Sequence, residues 1–407
     1  MKDRALRTLA VCRALAAMTE QPGSITRRFL SSPVRDVHTF LRARMETMGM
    51  TVHVDAAGNL RGIWEPENTV GKRLLIGSHI DTVPDAGAYD GVLGVAVALE
   101  WVELAQELRV PFAMEVIAFS EEEGVRFGVP FLGSRAVAGR FDPALLALPD
   151  AQGVTVEGAL RAFGLDPARI HEAVADEDAL GFVEVHIEQG PVLEADGLSV
   201  AAVAGIVGQS RLSLEFAGKA NHAGTTPMAL RQDALAGAAE WIVAVEALAR
   251  CSNGLVATVG KIAATPNAGN VVAGTATLSL DVRHAHDATR TGAAEALLDC
   301  ANGIAARRGL ALQVTPQVSQ PAAAMDERLT AFMTDAIEAA GLPHKLMFSG
   351  AGHDAMVMAA RMPTTMLFVR SPGGVSHNPA ERVREEDVEA SLQVARSFLY
   401  RLASEVR

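Results

Sequence analysis

Four short stretches of this 407-residue chain gather the side chains best suited to holding a metal ion. GSHIDTVPDAGAYDGVLG carries His79, Asp81 and Asp90 in one loop after an apolar run. AFSEEEGVRFG sets Glu121, Glu122 and Glu123 side by side, VHIEQG holds His186 and Glu188, and GGVSHNPAE holds His377. Imidazole and carboxylate donors suit zinc, manganese, cobalt or nickel, and one carboxylate can bridge two such ions. Asp81 stands two residues beyond His79, where it can accept a hydrogen bond from the ring nitrogen turned away from a metal and fix the tautomer. Three adjacent glutamates hold each other's pKa values up unless a cation or solvent relieves them. Taken singly, an HxD tripeptide is also an Asx-capped turn, a glutamate run is also an exposed acidic loop, and a lone histidine is also a structural one. Their joint placement argues for a metal.

That placement follows from the elements around them. Between Arg73 and Pro191, short apolar runs alternate with amphipathic stretches, as strands and crossover helices do in an α/β sheet. RLLIGSH, MEVIAFS and FVEVHIE read as strands, and GVLGVAVALEWVELAQEL between the first two reads as a helix. His79, Glu122 and His186 then fall at or just beyond the carboxyl ends of strands, where open α/β sheets form their ligand crevice. The two-residue strand period predicts that His186 and Glu188 share a face.

From about Gln209 the pattern changes to polar-apolar alternation in RLSLEFAGKA, GLVATVGKIAATPNAGNVVAGTATLSLDVRH and LALQVTPQVSQ, interleaved with helices over roughly 231–250 and 287–308. The expected fold is α/β: a catalytic domain with a mixed, largely parallel sheet from residues 1–208 and 320–407, and an inserted smaller α+β domain, βαββαβ-like, over 209–319. A final helix is expected near Glu385 to Leu402, and the N-terminal segment reads as a first helix.

The formal charge of −12 argues against nucleic acid, whose binders cluster Lys and Arg, and points to a small-molecule substrate. No GxGxxG or GxxxxGK[ST] follows an expected strand. Cys12, Cys251 and Cys300 form no CxxC pair, so neither a disulfide framework nor a thiolate zinc site is expected. No apolar run approaches the roughly 20 residues that span a bilayer, and no signal-peptide pattern opens the chain; a cytoplasmic location is expected.

GSHIDTVPDAGAYDGVLG, SEEEGVRFGVPFLGSRA, EVHIEQGPVLE, GKANHAGTTPM, GAGHDAM and GGVSHNPAE together resemble, in order through nearly the whole chain, the hydantoinase/carbamoylase branch of the M20-type metallopeptidases. That branch includes N-carbamoyl-L-amino acid hydrolases, allantoate amidohydrolases and β-ureidopropionases. The resemblance implies a dinuclear centre of two divalent ions, zinc or manganese with cobalt or nickel also fitting. Its ligands would be His79, Asp90, Glu123, His186 and His377, with Asp90 as the bridge. It further implies a non-proline cis peptide near Asp90 and Gly91. Counting back from Gly124 makes Glu122 the general base and Glu123 the ligand; Glu121 and Glu122 are the alternative pair.

Asp81 completes the catalytic set beside Glu122 and His222. His222 resembles the lid histidine that steadies developing negative charge and reaches the partner subunit's active site, which implies a homodimer through the lid. Arg283 would take the substrate carboxylate in a bidentate fork, and Gln189 and Asn270 match polar substrate contacts. Gly205 and Gly208 are candidate hinges for closure. The expected reaction is hydrolysis of a ureido group on a small carboxylate, N-carbamoyl-L-amino acids first, with allantoate as one alternative and dipeptidase or aminoacylase chemistry as another.

Overall fold

The computed structural model describes residues 1–406. The chain divides into two compact units, Met1–Ala204 with Ala324–Arg407, and Gly205–Ala323. The strands, in chain order, are β1 (Thr51–Val54), β2 (Leu60–Trp64), β3 (Arg73–His79), β4 (Ala113–Phe119), β5 (Gly181–Ile187) and β6 (Val200–Ile206). There follow β7 (Gly208–Ala217), β8 (Asn221–His222), β9 (Val256–Thr258), β10 (Ile262–Thr265), β11 (Val271–Val272), β12 (Thr275–His284) and β13 (Ala311–Gln320). The last three are β14 (Ala323–Ala324), β15 (Leu346–Ser349) and β16 (Thr364–Val369).

The first unit is built on a mixed sheet ordered β1-β2-β4-β3-β5-β16-β6-β14, with β15 beside β6. Its middle is parallel: β3 pairs with β4 and β5, and β5 with β16, while β2 and β6 join antiparallel on either side. β4 and β5 are buried at every position and β3 at all but its first, which is why these strands read as unbroken apolar runs rather than alternating ones. The helix Val92–Leu108 crosses from β3 to β4 and is apolar on nearly all sides, Trp101 included, as a helix enclosed by its neighbours must be. Gly94 lets it approach so closely that a Cβ there would overlap the Val185 carbonyl and Ser78.

Parallel order sends the ends of β3, β4, β5 and β16 to one edge of the sheet, so His79, Ser120–Glu123, His186 and the segment after Val369 emerge together. A buried bidentate pair, Arg370 to Asp387 at 2.8 and 2.6 Å, ties the exit of β16 to the C-terminal helix Glu385–Val406.

The second unit has an antiparallel sheet ordered β10-β12-β7-β13, with β9 also on β12, and a small ribbon of β8 and β11. Helices Ala234–Cys251 and Asp287–Arg308 cover one face, their apolar side chains packing with Leu214, Phe216, Leu278 and Leu280 around buried Trp241. No helix among the described residues is long and apolar enough to cross a membrane.

Candidate metal centre

His79 ends β3, and its Nδ1 donates to the Asp81 backbone carbonyl at 3.0 Å while lying 3.4 Å from the Asp81 carboxylate. His186 on β5 is anchored in the same way, Nδ1 donating to the Ile187 carbonyl at 2.9 Å. Both Nε2 atoms therefore face inward, 3.5 Å apart. Asp90 Oδ1 meets them at 3.5 Å from His79 and 3.2 Å from His186. Asp90 Oδ2 turns the other way, 3.3 Å from His377 Nε2, which is itself 3.6 Å from Glu123 Oε1. Two groups result, His79–Asp90–His186 and Asp90–Glu123–His377, with the donor atoms of each within 4.8 Å of one another. Asp90 belongs to both through different oxygens.

With each Nδ1 committed to a carbonyl, the two Nε2 atoms and a carboxylate oxygen converge, with Gly91 N–H 3.3 Å from His186 Nε2. A cation relieves such convergence, and the histidine-carboxylate donor set suits a divalent ion of the zinc or manganese kind. The buried groups also shift one another's titration. Burial opposes an imidazolium at His79, yet the Asp81 and Asp90 carboxylates hold its pKa well above the ordinary value. Burial likewise works against ionised Asp90, and the three histidines still pull it well below the usual carboxylate range.

The chain reaches Asp90 through a tight γ-turn. Gly91 has φ 64° and ψ −48°, and Val92 N–H donates back to the Asp90 carbonyl at 2.7 Å. A Cβ at Gly91 would lie 2.5 Å from three atoms of the His79 ring. This turn replaces the expected non-proline cis peptide near Asp90 and Gly91, which is absent; among the described residues the cis bond joins Thr265 and Pro266.

Asp81 does more than face His79. Its Oδ1 accepts from Glu122 N–H and its Oδ2 from Glu123 N–H, each at 3.0 Å, so the loop after β3 holds the loop after β4. Of the three glutamates, Glu122 and Glu123 group with His79, while Glu121 is fully buried and stands outside every such group among the described residues. Burial, with Glu123, Asp354 and Asp81 nearby, holds Glu122 well above the usual carboxylate range; burial and Asp90 raise Glu123 to about 7.

Gln189, at φ 57°, donates from Nε2 to Asp90 Oδ2 at 2.8 Å and to Ser376 Oγ at 3.2 Å. Glu188 corrects the strand reading: β5 ends at Ile187, and the Glu188 carboxylate turns to accept Val192 and Leu193 N–H at 2.7 and 3.0 Å. Glu184 is the residue that shares the face of His186, accepting from Ser78 Oγ at 2.8 Å and Ala355 N–H at 2.7 Å. His353, buried with its ring centroid 4.3 Å from that of His186, and the pair Ser376 and Glu381 were not singled out from the sequence. Glu184, Ser376 and Glu381 lie in segments already notable for His186 and His377, and His353 lies in GAGHDAM.

In the second unit, the β8–β11 ribbon brings His222 and Asn270 together: His222 pairs with Val271, and the Asn270 carbonyl accepts Ala223 N–H at 2.9 Å. Arg231 fastens this turn through the Ala223 and Thr226 carbonyls. His222 Nδ1 accepts N–H groups from Gly224 and Thr225 at 3.0 and 3.3 Å, so the neutral ring carries its proton on Nε2. Arg283 lies elsewhere. The ribbon adjoins the start of β12, where Gly274 abuts Ala220, and Arg283 is near the other end, opposite Gln209. Arg283 stands eight residue steps along the strand from Thr275, about 27 Å at the usual rise. Arg283 already forks Asp281, at 3.0 Å through both Nε and Nη2. Burial works against ionised Asp281, but Arg283 and Arg211 hold its pKa below the ordinary value.

Acceptors gathered at the carboxyl edge of a parallel sheet, around a carboxylate with one oxygen in each of two donor groups, are how α/β hydrolases that use divalent metals are built. The chain belongs to peptidase family M20/M25/M40, which it matches over residues 75–401. It is 37% identical to allantoate deiminase of Arabidopsis thaliana, an alignment covering 97% of this chain and 82% of the relative. It is 36% identical to N-carbamoyl-L-amino acid amidohydrolase of Geobacillus stearothermophilus, with 96% of both chains covered. Among solved structures, an amidase of the hydantoinase/carbamoylase family from Burkholderia multivorans superposes with a TM-score of 0.92 at 30% identity, covering 98% of each chain.

Proposed function

We propose that this chain is a metal-dependent amidohydrolase that cleaves the C–N bond of a ureido group on a small carboxylate, N-carbamoyl-L-amino acids before allantoate, releasing ammonia and carbon dioxide. The observation that carries this reading is Asp90, whose two oxygens face two separate donor groups with Glu122 beside them. His79, Asp90 and His186 would hold one divalent ion, and Asp90, Glu123 and His377 the other. Ions so held polarise a carbonyl and acidify water.

Glu122 takes the proton of the attacking water as it adds to the ureido carbon, then passes it to the nitrogen that departs as the C–N bond breaks. Asp81, holding the Glu122 and Glu123 backbone and facing His79, keeps base and donors in register. His222 supplies an Nε2–H donor for the charge that develops on the carbonyl oxygen. Gln189 and Asn270 give polar contacts, and Arg283 takes the substrate carboxylate.

Arg283 and the His222–Asn270 ribbon stand at opposite ends of β12, too far apart for one small ureido acid to touch both on a single chain. This supports a homodimer in which a substrate meets Arg283 of one chain and the partner subunit's His222. Mixing inactive His222→Ala and Glu122→Gln chains would then regenerate about a quarter of wild-type activity through hybrid dimers; no recovery after verified exchange refutes the shared site.

Glu122→Gln tests the chemistry. The variant should keep its metal content and lose about 10²–10⁴-fold in kcat; near-normal turnover refutes the assignment. Ammonia release from N-carbamoyl-L-amino acids and allantoate, with none from dipeptides, separates this reading from peptidase chemistry on the same frame.

A further inference from the structure

The bridging role given to Asp90 demands that both of its oxygens be aimed before an ion arrives, and the structure contains a device that aims them. Glu381, 4% exposed, reaches the Asp90 loop from the C-terminal segment. Its Oε1 accepts the backbone N–H groups of Tyr89 at 2.8 Å and Asp90 at 3.1 Å. Ser376 Oγ closes the circuit, lying 3.3 Å from Glu381 Oε2 and 2.9 Å from Asp90 Oδ2. The loop wraps this carboxylate so tightly that a Cβ at Gly87 would overlap the Glu381 side chain. Two backbone donors fix where Asp90 sits, and the serine hydroxyl lies against one of its oxygens.

We propose that Glu381 is a positioning residue for Asp90, holding its backbone and carboxylate in the bridging orientation ahead of metal binding, with Ser376 as the link and Gly87 as the space that admits it. This rests on the dinuclear reading above. Partners that orient metal ligands in this way are typically worth about 10–100-fold in metal affinity. Because Asp90 is common to both donor groups, loss of the device should weaken both ions together.

The test uses the full chain, stripped with a chelator and titrated calorimetrically with Mn²⁺. Glu381→Ala should weaken both binding events by about 10–100-fold. Glu381→Gln, whose amide oxygen can still accept the two N–H groups, should recover most of that loss. Gly87→Ala leaves every polar partner in place but pushes Glu381 away, so it should imitate Glu381→Ala, and it carries the test if the latter fails to fold. A purely structural role would lower the melting midpoint of the metal-free chain and leave the Mn²⁺ affinity of the folded fraction unchanged. Wild-type affinity in both Glu381→Ala and Gly87→Ala, or a glutamine variant no better than alanine, overturns the proposal. A wild-type chain that binds no Mn²⁺ instead removes the dinuclear reading on which it stands.

Discussion

Gly91→Ala probes the turn that delivers Asp90. A side chain at φ 64° and ψ −48° sits in a sparsely populated backbone region, which costs about 1–3 kcal/mol. The new Cβ would also lie 2.5 Å from the His79 ring, and forcing an extra carbon into a packed interior costs about another 1–3 kcal/mol. The total of about 2–6 kcal/mol corresponds to a fall of roughly 3–10 °C in the melting midpoint for a unit of this size. Gly71→Ala is the control: its φ is 73° and nothing lies within 4 Å of the Cβ position, so it carries a positive-φ cost without a packing clash. The assay is thermal melting of both variants with and without added Mn²⁺, together with metal analysis. Gly91→Ala should melt well below Gly71→Ala and bind metal weakly because His79 has been displaced. Equal melting of the two variants with full metal content in both would refute the reasoning.

Arg283→Ala should raise KM about 10-fold or more while bound metal stays unchanged, and Arg283→Lys should not restore it because an ammonium lacks the planar fork; steady-state kinetics with metal analysis decides, and an unchanged KM removes Arg283 from the substrate site. Acid stability should carry the imprint of His38, whose pKa burial, aided by Arg42 and Arg35, lowers to about 4. The folded ring stays neutral while the unfolded one protonates below about 6.5, so stability is lost as pH falls from about 6.5 to 4 and levels off below. The loss is about 3 kcal/mol; His38→Leu should remove that slope in urea titrations across the window, and an unaltered slope would contradict it.

The central strands were legible because β3, β4 and β5 are enclosed on both faces and so read as apolar runs that end in polar residues. That same feature put His79, the glutamates and His186 at one edge. Less legible was anything set by where a strand stops. The two-residue period carries only as far as Ile187; beyond it Gln189 takes a left-handed φ and Glu188 turns to cap a short helix. The bend at Asp90 was expected as a cis peptide, but glycine supplies a γ-turn for the same change of direction. Residues that act through backbone groups leave little trace in sequence: Glu381 accepts from Tyr89 and Asp90 across nearly three hundred residues. The separation of Arg283 from His222 along β12 is likewise invisible until the register of the sheet is known.

The most direct test of the centre is anomalous diffraction from crystals grown with Mn²⁺. Two peaks are expected, one between His79 and His186 and the other between Glu123 and His377, with Asp90 touching both. A single peak, or peaks away from Asp90, would contradict a carboxylate-bridged pair of ions as the heart of this enzyme.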